Sequence, residues 1–289
     1  MLGHKIILSK ICEEYLMSFF VLIILAVIQG LTEFLPVSSS GHLVVLYNWF
    51  GIENNVMLLS ILLHIATLIS VLIYYRKELI VLIRHPFCPT NRKILVTTIV
   101  TCGVVLIMKP LIDSLFDGEY IFVFFLITAI LLMFSDYMAD RKQKLSRTKN
   151  FVSKSLECVD KNCIINIDVN YFQAVLIGVT QGIACIPGIS RSGSTIAVSR
   201  MCGVTDSTRY SFLISIPIII ASLVLEVAEG GSVGGINIIS LIVGMIVCAV
   251  VGYFAIKFMT KLVEKNKLIV FSYYLIILST ILVVLSFVR

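Results

Sequence analysis

Apolar residues come in long blocks separated by short polar stretches. Six blocks, at roughly 57–75, 94–112, 120–138, 210–228, 236–256 and 268–288, can each cross about 30 Å of hydrocarbon at about 1.5 Å per residue. They predict six transmembrane helices. Two further apolar segments do not fit that template. Residues 16–48 are broken by Glu33, Pro36 and Ser38-Ser39-Ser40-Gly41-His42. Residues 171–203 are broken by Pro187-Gly188 and Ser190-Arg191-Ser192-Gly193-Ser194-Thr195. Each half is short for a crossing, and each break is too polar to face lipid. Irregular backbone at membrane depth persists only where protein or a wet cavity surrounds it. Both segments therefore predict re-entrant helix–loop–helix hairpins. Residues 16–28 have the length of a signal-peptide core but run into Gln29-Gly30-Leu31-Thr32-Glu33 with no small-residue cleavage pattern. They are expected to stay in the mature chain.

Composition agrees. Of 289 residues, 58% are hydrophobic and 14% charged, and mean hydropathy is +1.02. Soluble domains are about 25% charged. A soluble globular enzyme, a disordered regulator and a coiled coil are all excluded. The net charge of +6 would suggest nucleic acid in a soluble chain. Here sixteen of the 23 Lys and Arg residues fall in three loops, 76–93, 139–169 and 257–267. The other loops hold Glu53, Asp113, Asp117, Glu119 and Glu229, with Lys109 the one base. The positive-inside rule places the three basic loops in the cytoplasm. Six spans then alternate only if each hairpin enters and leaves on one side, the first from outside and the second from the cytoplasm, with both termini outside. The eight cysteines form no C-x-x-C and no zinc spacing, and they read as packing residues.

The two breaks resemble each other. Gln29 and Gly41 are twelve residues apart, as are Gln181 and Gly193, and Ser38-Ser39-Ser40-Gly41 aligns with Ser190-Arg191-Ser192-Gly193. Three spans follow each hairpin, so the second copy is inverted in the membrane. The expected fold is an all-α polytopic membrane protein: an inverted-topology repeat with six transmembrane helices plus two re-entrant hairpins. It forms one integral-membrane domain over 1–289, with repeat 1 at about 16–138, the basic loop at 139–169 and repeat 2 at about 171–288.

Glu33 and Arg191 are charges at membrane depth, costing about 2.5–3.5 kcal/mol each on insertion scales. They stand at corresponding breaks, so they are expected to share one cavity. Arg offers a planar fork suited to phosphate. Ser190, Ser192 and Thr195 add hydroxyls, and Gly188 and Gly193 let backbone approach a ligand. Helix starts near Ser38 and Ser190 would present amides and positive dipole ends to an anion. Glu33, Ser39 and His42 supply a carboxylate, a hydroxyl and an imidazole; Ser39 and His42, three apart, would share a helix face. His64, alone on an apolar helix, reads as structural, and His4 and His85 as terminal or loop residues.

The stretches Gln29-Gly30-Leu31-Thr32-Glu33-Phe34-Leu35-Pro36-Val37-Ser38-Ser39-Ser40-Gly41-His42 and Pro187-Gly188-Ile189-Ser190-Arg191-Ser192-Gly193-Ser194-Thr195 closely resemble the bacterial undecaprenyl-diphosphatase family of the bacitracin-resistance type. Weaker matches are Leu72–Lys77 and Phe212–Pro217. The resemblance covers nearly the whole chain. It implies hydrolysis of undecaprenyl diphosphate to undecaprenyl phosphate and inorganic phosphate. That recycles the lipid carrier for peptidoglycan and other envelope sugars, and bacitracin resistance goes with it. It implies a site open to the extracytoplasmic face of the bacterial cytoplasmic (inner) membrane and a divalent cation, Mg2+ or Ca2+. Carried over by position, Glu33 is the main catalytic carboxylate, Ser39 and His42 the nucleophile and acid/base candidates, and Arg191 the phosphate-gripping arginine. Gln29, Ser38, Ser190, Ser192, Gly193 and Thr195 line the substrate. Many members carry Glu where this chain has Gln29, so the metal rests on Glu33 with Gln29 as a weaker oxygen ligand. The expected partners are a polyprenyl diphosphate and membrane lipid, with a homodimer left open and no nucleic acid. A polyprenyl-phosphate transporter or flippase is the competing reading, because inverted repeats with broken helices also build transporters. A nucleophile and an acid beside an arginine favour chemistry.

Overall fold

The computed structural model describes residues 19–52, 56–115, 120–149, 167–228, 237–265 and 267–288. His4, Cys12, Glu53, Asp117, Glu119, Lys154, Cys158, Lys161, Cys163 and Glu229 lie outside the described residues.

Every element among the described residues is helical. In chain order these are α1 (Phe19–Phe34), α2 (Ser39–Phe50), α3 (Val56–Tyr74), α4 (Arg76–Arg84), α5 (Pro89–Leu115) and α6 (Ile121–Lys149). Then come α7 (Tyr171–Ile183), α8 (Arg191–Cys202), α9 (Ser207–Ala228), α10 (Ile238–Glu264) and α11 (Ile269–Val288). Each expected span falls on one of α3, α5, α6, α9, α10 and α11. Five helices are long and apolar enough to cross a membrane, and the α3–α4 pair, bent by 80°, is a sixth if taken as one span. The bend has a charge origin: Arg76, Lys77 and Glu78 follow Tyr75 at once and cannot continue into hydrocarbon. Helices α5 and α6 run to 27 and 29 residues, past their apolar blocks into polar sequence. The described residues of the first segment, 19–48, and the second segment, 171–203, are helix–break–helix, as α1/α2 and α7/α8.

The exterior is apolar, and the core is apolar too, with polar groups set into it. Ile107 is 82% exposed, with Ile99, Phe254 and Ile277 also facing outward, while Gln29, Glu33, Thr101 and Gln181 are buried among hydrophobic side chains. An apolar outer face fits a lipid surround, and buried ionisable groups at that depth mark a site. Helix pairing is tight where residues are small. Gly178 and Gly182 of α7 lie against Thr97 and Val104 of α5, and Gly30 of α1 lies against Cys248 of α10. Hydroxyls reach across the same seams: Thr97 donates to the Ala174 carbonyl, Thr101 to Gly178 and Ser70 to Ala249. Such bonds help hold helices together where no hydrophobic drive acts between them. Helices α6 and α11 pack along each other, as do α3 and α10.

A second buried ion pair, invisible in the motif pattern, anchors the end of α8. Arg200 donates to Asp136 Oδ1 at 2.6 Å, and the Ile269 amide at the head of α11 donates to Oδ2 at 2.7 Å. One carboxylate thus ties α6, α8 and α11. Cys102, Cys185, Cys202 and Cys248 are free, as packing residues would be, but Cys88 is disulfide-bonded.

Candidate active site

The two breaks are built alike and meet. In each, a serine caps the following helix. Ser38 Oγ accepts the Gly41 amide at 3.3 Å and lies 3.4 Å from Ser40 Oγ. Ser190 Oγ accepts the Gly193 amide at 3.0 Å and lies 3.4 Å from Ser192 Oγ. The contact between breaks is reciprocal. A methyl added to Gly41 would lie 3.0 Å from Gly188 Cα, and one on Gly193 would lie 2.9 Å from Pro36 Cβ. Ser192 Oγ also donates to the Leu35 carbonyl across the join. Ser38 is the one described non-glycine residue with positive φ, at 67°. Such backbone costs on the order of 1–3 kcal/mol and collects at functional sites.

Gly188 has φ 93°, and a Cβ there would fall 2.7 Å from Phe124 Cβ. Gly188→Ala therefore meets both left-handed strain and a clash, each on the order of 1–2 kcal/mol. The substitution is expected to lower the melting temperature in detergent by several degrees, whereas Gly103→Ala, in open space inside α5, does not lower it. Equal melting of the two variants would mean the join between breaks is loose.

Glu33, at the end of α1, is the centre of the join. Its Oε1 pairs with Arg191 from the other hairpin. Its Oε2 accepts from Ser39 Oγ at 2.6 Å and from Gln29 Nε2 at 3.0 Å, and His64 Nε2 lies 3.4 Å away. The expectation that Glu33 and Arg191 share a cavity holds in the geometry. That cavity is about 750 Å³. Its floor is Glu33, Ser39, Ser190, Arg191 and Ser192. Its walls come from α2 (Ser40, Leu43, Val44, Tyr47, Asn48), α3 (Ser60, Ile61, His64, Ile65) and α9 (Ile218, Ile219, Ser222, Leu223). The i, i+1, i+4, i+5 spacing on α3 and α9 is one helix face each. The walls are mostly apolar, and Ile52 adds to them between α2 and α3. The first amides of α2 and α8 have no intrahelical acceptor and belong to the residues of the floor. The floor, with two helix starts, an arginine and hydroxyls, suits an anionic group, and the walls suit an apolar chain.

Other expected site residues lie elsewhere. His42 does not share the Ser39 side. Its Nδ1 bonds the Ser38 carbonyl and its Nε2 the Tyr274 hydroxyl, each at 2.7 Å, and its ring stacks on Tyr274, outside the cavity lining. Thr195 turns inward to the Arg191 and Ser192 carbonyls and to Ser211. Ser38, Gly193 and Gln29 are buried behind the floor and shape it rather than line it. His64, read from the sequence as structural, lines the cavity beside Glu33. An apolar helix carrying one histidine gives no sign of this in sequence, because the contact comes from tertiary packing.

The described residues do not form a protein-only divalent cation site. Hard cations take about six oxygens. Here one carboxylate is already paired with Arg191, and Gln29 turns its amide nitrogen toward it, leaving its buried Oε1 without a partner. No group of three or more His, Cys, Asp or Glu among the described residues could hold a metal.

A family model described as bacitracin resistance protein BacA matches residues 22–281. An undecaprenyl-diphosphatase of Carboxydothermus hydrogenoformans is 36% identical over 93% of this chain and 98% of its own length. One from Treponema denticola is 38% identical over 90% and 94%, and undecaprenyl-diphosphatase 4 of Bacillus thuringiensis is 37% identical over 91% and 96%.

Proposed function

Because the chain belongs to the bacitracin resistance protein BacA family, it is an integral-membrane undecaprenyl-diphosphatase, and we propose that Glu33, Ser39 and Arg191 carry the reaction. It releases the terminal phosphate of undecaprenyl diphosphate and so recycles the lipid carrier of envelope synthesis. One observation supports the residue assignment above the rest: Arg191 and Ser39 converge from different hairpins on one buried carboxylate, at the floor of an apolar-walled cavity.

The chemistry follows from those contacts. The five donors of Arg191 can serve Glu33 on one edge and the terminal phosphate on another. The α2 and α8 starts add backbone amides where charge develops on the equatorial oxygens. Ser39 already donates its proton to Glu33 Oε2, the arrangement of an activated nucleophile with its base. As Ser39 Oγ bonds to the terminal phosphorus, its proton passes to Glu33 and the bridging P–O bond breaks. Glu33 gives that proton to the departing prenyl phosphate. Water then attacks the phosphoserine and Glu33 takes its proton; as the bond from phosphorus to Ser39 Oγ breaks, Glu33 returns that proton to Oγ, and inorganic phosphate leaves with serine and carboxylate both restored. The divalent cation expected from the family is proposed to arrive on the diphosphate, whose oxygens supply ligands the protein lacks.

We also propose the inverted repeat with six spans and two re-entrant hairpins. The matched serine caps and the reciprocal Gly41–Gly188 and Gly193–Pro36 approaches support it. With basic loops in the cytoplasm, the cavity opens on the extracytoplasmic side of the bacterial cytoplasmic membrane. The site is complete within one chain, so no second copy is required.

The deciding assay is phosphate release from farnesyl or undecaprenyl diphosphate by purified protein in detergent, with and without EDTA. Binding without phosphate release in the presence of magnesium or calcium would point to a carrier instead. For orientation, a cysteine in place of Trp49, in a background lacking native cysteines, should react with an impermeant maleimide outside intact cells. One in place of Phe87 should not, and the opposite pattern would overturn the orientation.

A further inference from the structure

We propose that Tyr274 of α11 is a positioning residue: through His42 it holds the strained Ser38 peptide that sets Ser39 in place, a role that rests on the phosphatase reading. The contacts run directly from one residue to the next. His42 Nδ1 lies 2.7 Å from the Ser38 carbonyl, and its Nε2 lies 2.7 Å from the Tyr274 hydroxyl. A carbonyl only accepts, so Nδ1 donates. Nε2 of the neutral ring then accepts, and the Tyr274 hydroxyl is its donor. Two aromatic rings fix the imidazole as well. Tyr274 stacks on it with centroids 5.8 Å apart and planes 7° from parallel, and the Phe125 ring of α6 lies 5.3 Å away.

The pinned carbonyl is the one that needs holding. Ser38, at φ 67°, has backbone that persists only where its surroundings over-determine it. The other break is a built-in comparison. There Ser190 caps α8 at φ −76°, in ordinary extended backbone, and Ser194 stands four residues on, where His42 stands in the first. Ser194 Oγ is buried and has no hydrogen-bond partner among the described residues. Strain and side-chain pin thus occur together at the first break. At the second the cap is unstrained and the matching side chain is unbonded.

Ser39 is the residue that the pin sets in place. The Ser38 carbonyl and the Ser39 amide share one planar peptide unit and point opposite ways. The carbonyl is held toward His42, which stands outside the cavity lining. The first free amide of α2 is therefore held in the opposite direction, on a residue of the floor. The same peptide leads into Ser39 Cα, from which Oγ reaches Glu33 Oε2 at 2.6 Å. Misplacing a reacting group by about 1 Å can cost about 10²-fold in rate. Loss of the pin is thus felt in turnover more than in binding, because Arg191 and the cavity walls stay as they are.

The test uses purified protein in detergent with farnesyl diphosphate and magnesium. Tyr274→Phe keeps the stacked ring and loses only the hydroxyl. It is expected to lower kcat about tenfold or more, with KM within about twofold and the melting temperature near wild type. In a His42→Ala background the same change should cost nothing further, because Tyr274 then has nothing to act through. His42→Asn, whose amide nitrogen can stand where Nδ1 stood, should keep more turnover than His42→Ala. In protein carrying isotope-labelled histidine, the ring-nitrogen resonances of His42 should show a protonated Nδ1, and the Nε2 resonance should shift in Tyr274→Phe. Wild-type kcat in Tyr274→Phe overturns the proposal. So does a KM that rises as far as kcat falls, an additive loss in the double variant, a His42→Asn protein no better than His42→Ala, or a Tyr274→Phe protein that unfolds. Wild-type protein that releases no phosphate would instead sink the phosphatase reading. The Nε2 shift then decides, without turnover, whether Tyr274 holds His42, and an unshifted resonance overturns the proposal.

Discussion

Glu33→Gln is expected to reduce phosphate release by about 10²–10⁴-fold, the range for removing a positioned proton-transfer group. The amide keeps the size of the side chain and can still bond Ser39 and Gln29, so folding should survive. What it loses is the ability to take the Ser39 proton. Farnesyl phosphate should still protect the variant against thermal unfolding, because Arg191 and the two helix starts remain. Phosphate release at the wild-type rate would remove Glu33 from the chemistry and leave it as a structural counter-ion. Glu33→Ala adds a different effect: it strips the buried partner from Arg191, and a broken buried pair costs about 3–5 kcal/mol.

Arg191→Lys is expected to cost about 10²–10³-fold in turnover, in line with losing one well-placed donor to developing charge. Lysine restores the positive charge beside Glu33 but not the fork that spans carboxylate and phosphate together. The melting temperature should therefore stay near wild type while activity falls. Arg191→Leu should lose both, since the Glu33 carboxylate is left buried and unpaired. Combining Glu33→Gln with Arg191→Leu should regain stability without regaining activity. If Arg191→Lys turns over normally, the arginine is a strut between the hairpins and the phosphate grip lies elsewhere.

The helical spans could be read from the chain because lipid imposes one length and one polarity on every crossing segment. The two breaks could be read because a charge, a proline and a serine run fall together in each, whereas a lone proline such as Pro217 stays inside the spanning helix α9. Glu33 and Arg191 could be paired in advance because two charges at membrane depth have few ways to be neutralised. What escaped the sequence was direction and long-range contact. Ser39 and His42 are near neighbours on α2, yet one faces Glu33 and the other Tyr274, 232 positions away. His64 looked like a packing residue because its neighbours on α3 are Ile61, Leu62, Leu63 and Ile65, and only α1 arriving alongside gives it a carboxylate. The apolar blocks at 94–112 and 120–138 mark where α5 and α6 cross, and both helices run on past them because helical hydrogen bonding does not stop at the lipid boundary.

The ion pair between Glu33 and Arg191 joins residues 158 positions apart, on separate hairpins. During synthesis the first hairpin therefore enters the bilayer with its carboxylate and serine but no arginine. On the proposed residue assignment, a half-made chain lacks the arginine it needs to act on its lipid substrate. Competence would then arrive when the second hairpin docks and Gly193 closes on Pro36. By the same logic, the two halves expressed as separate polypeptides should each be inert and should become active only by complementation in one membrane.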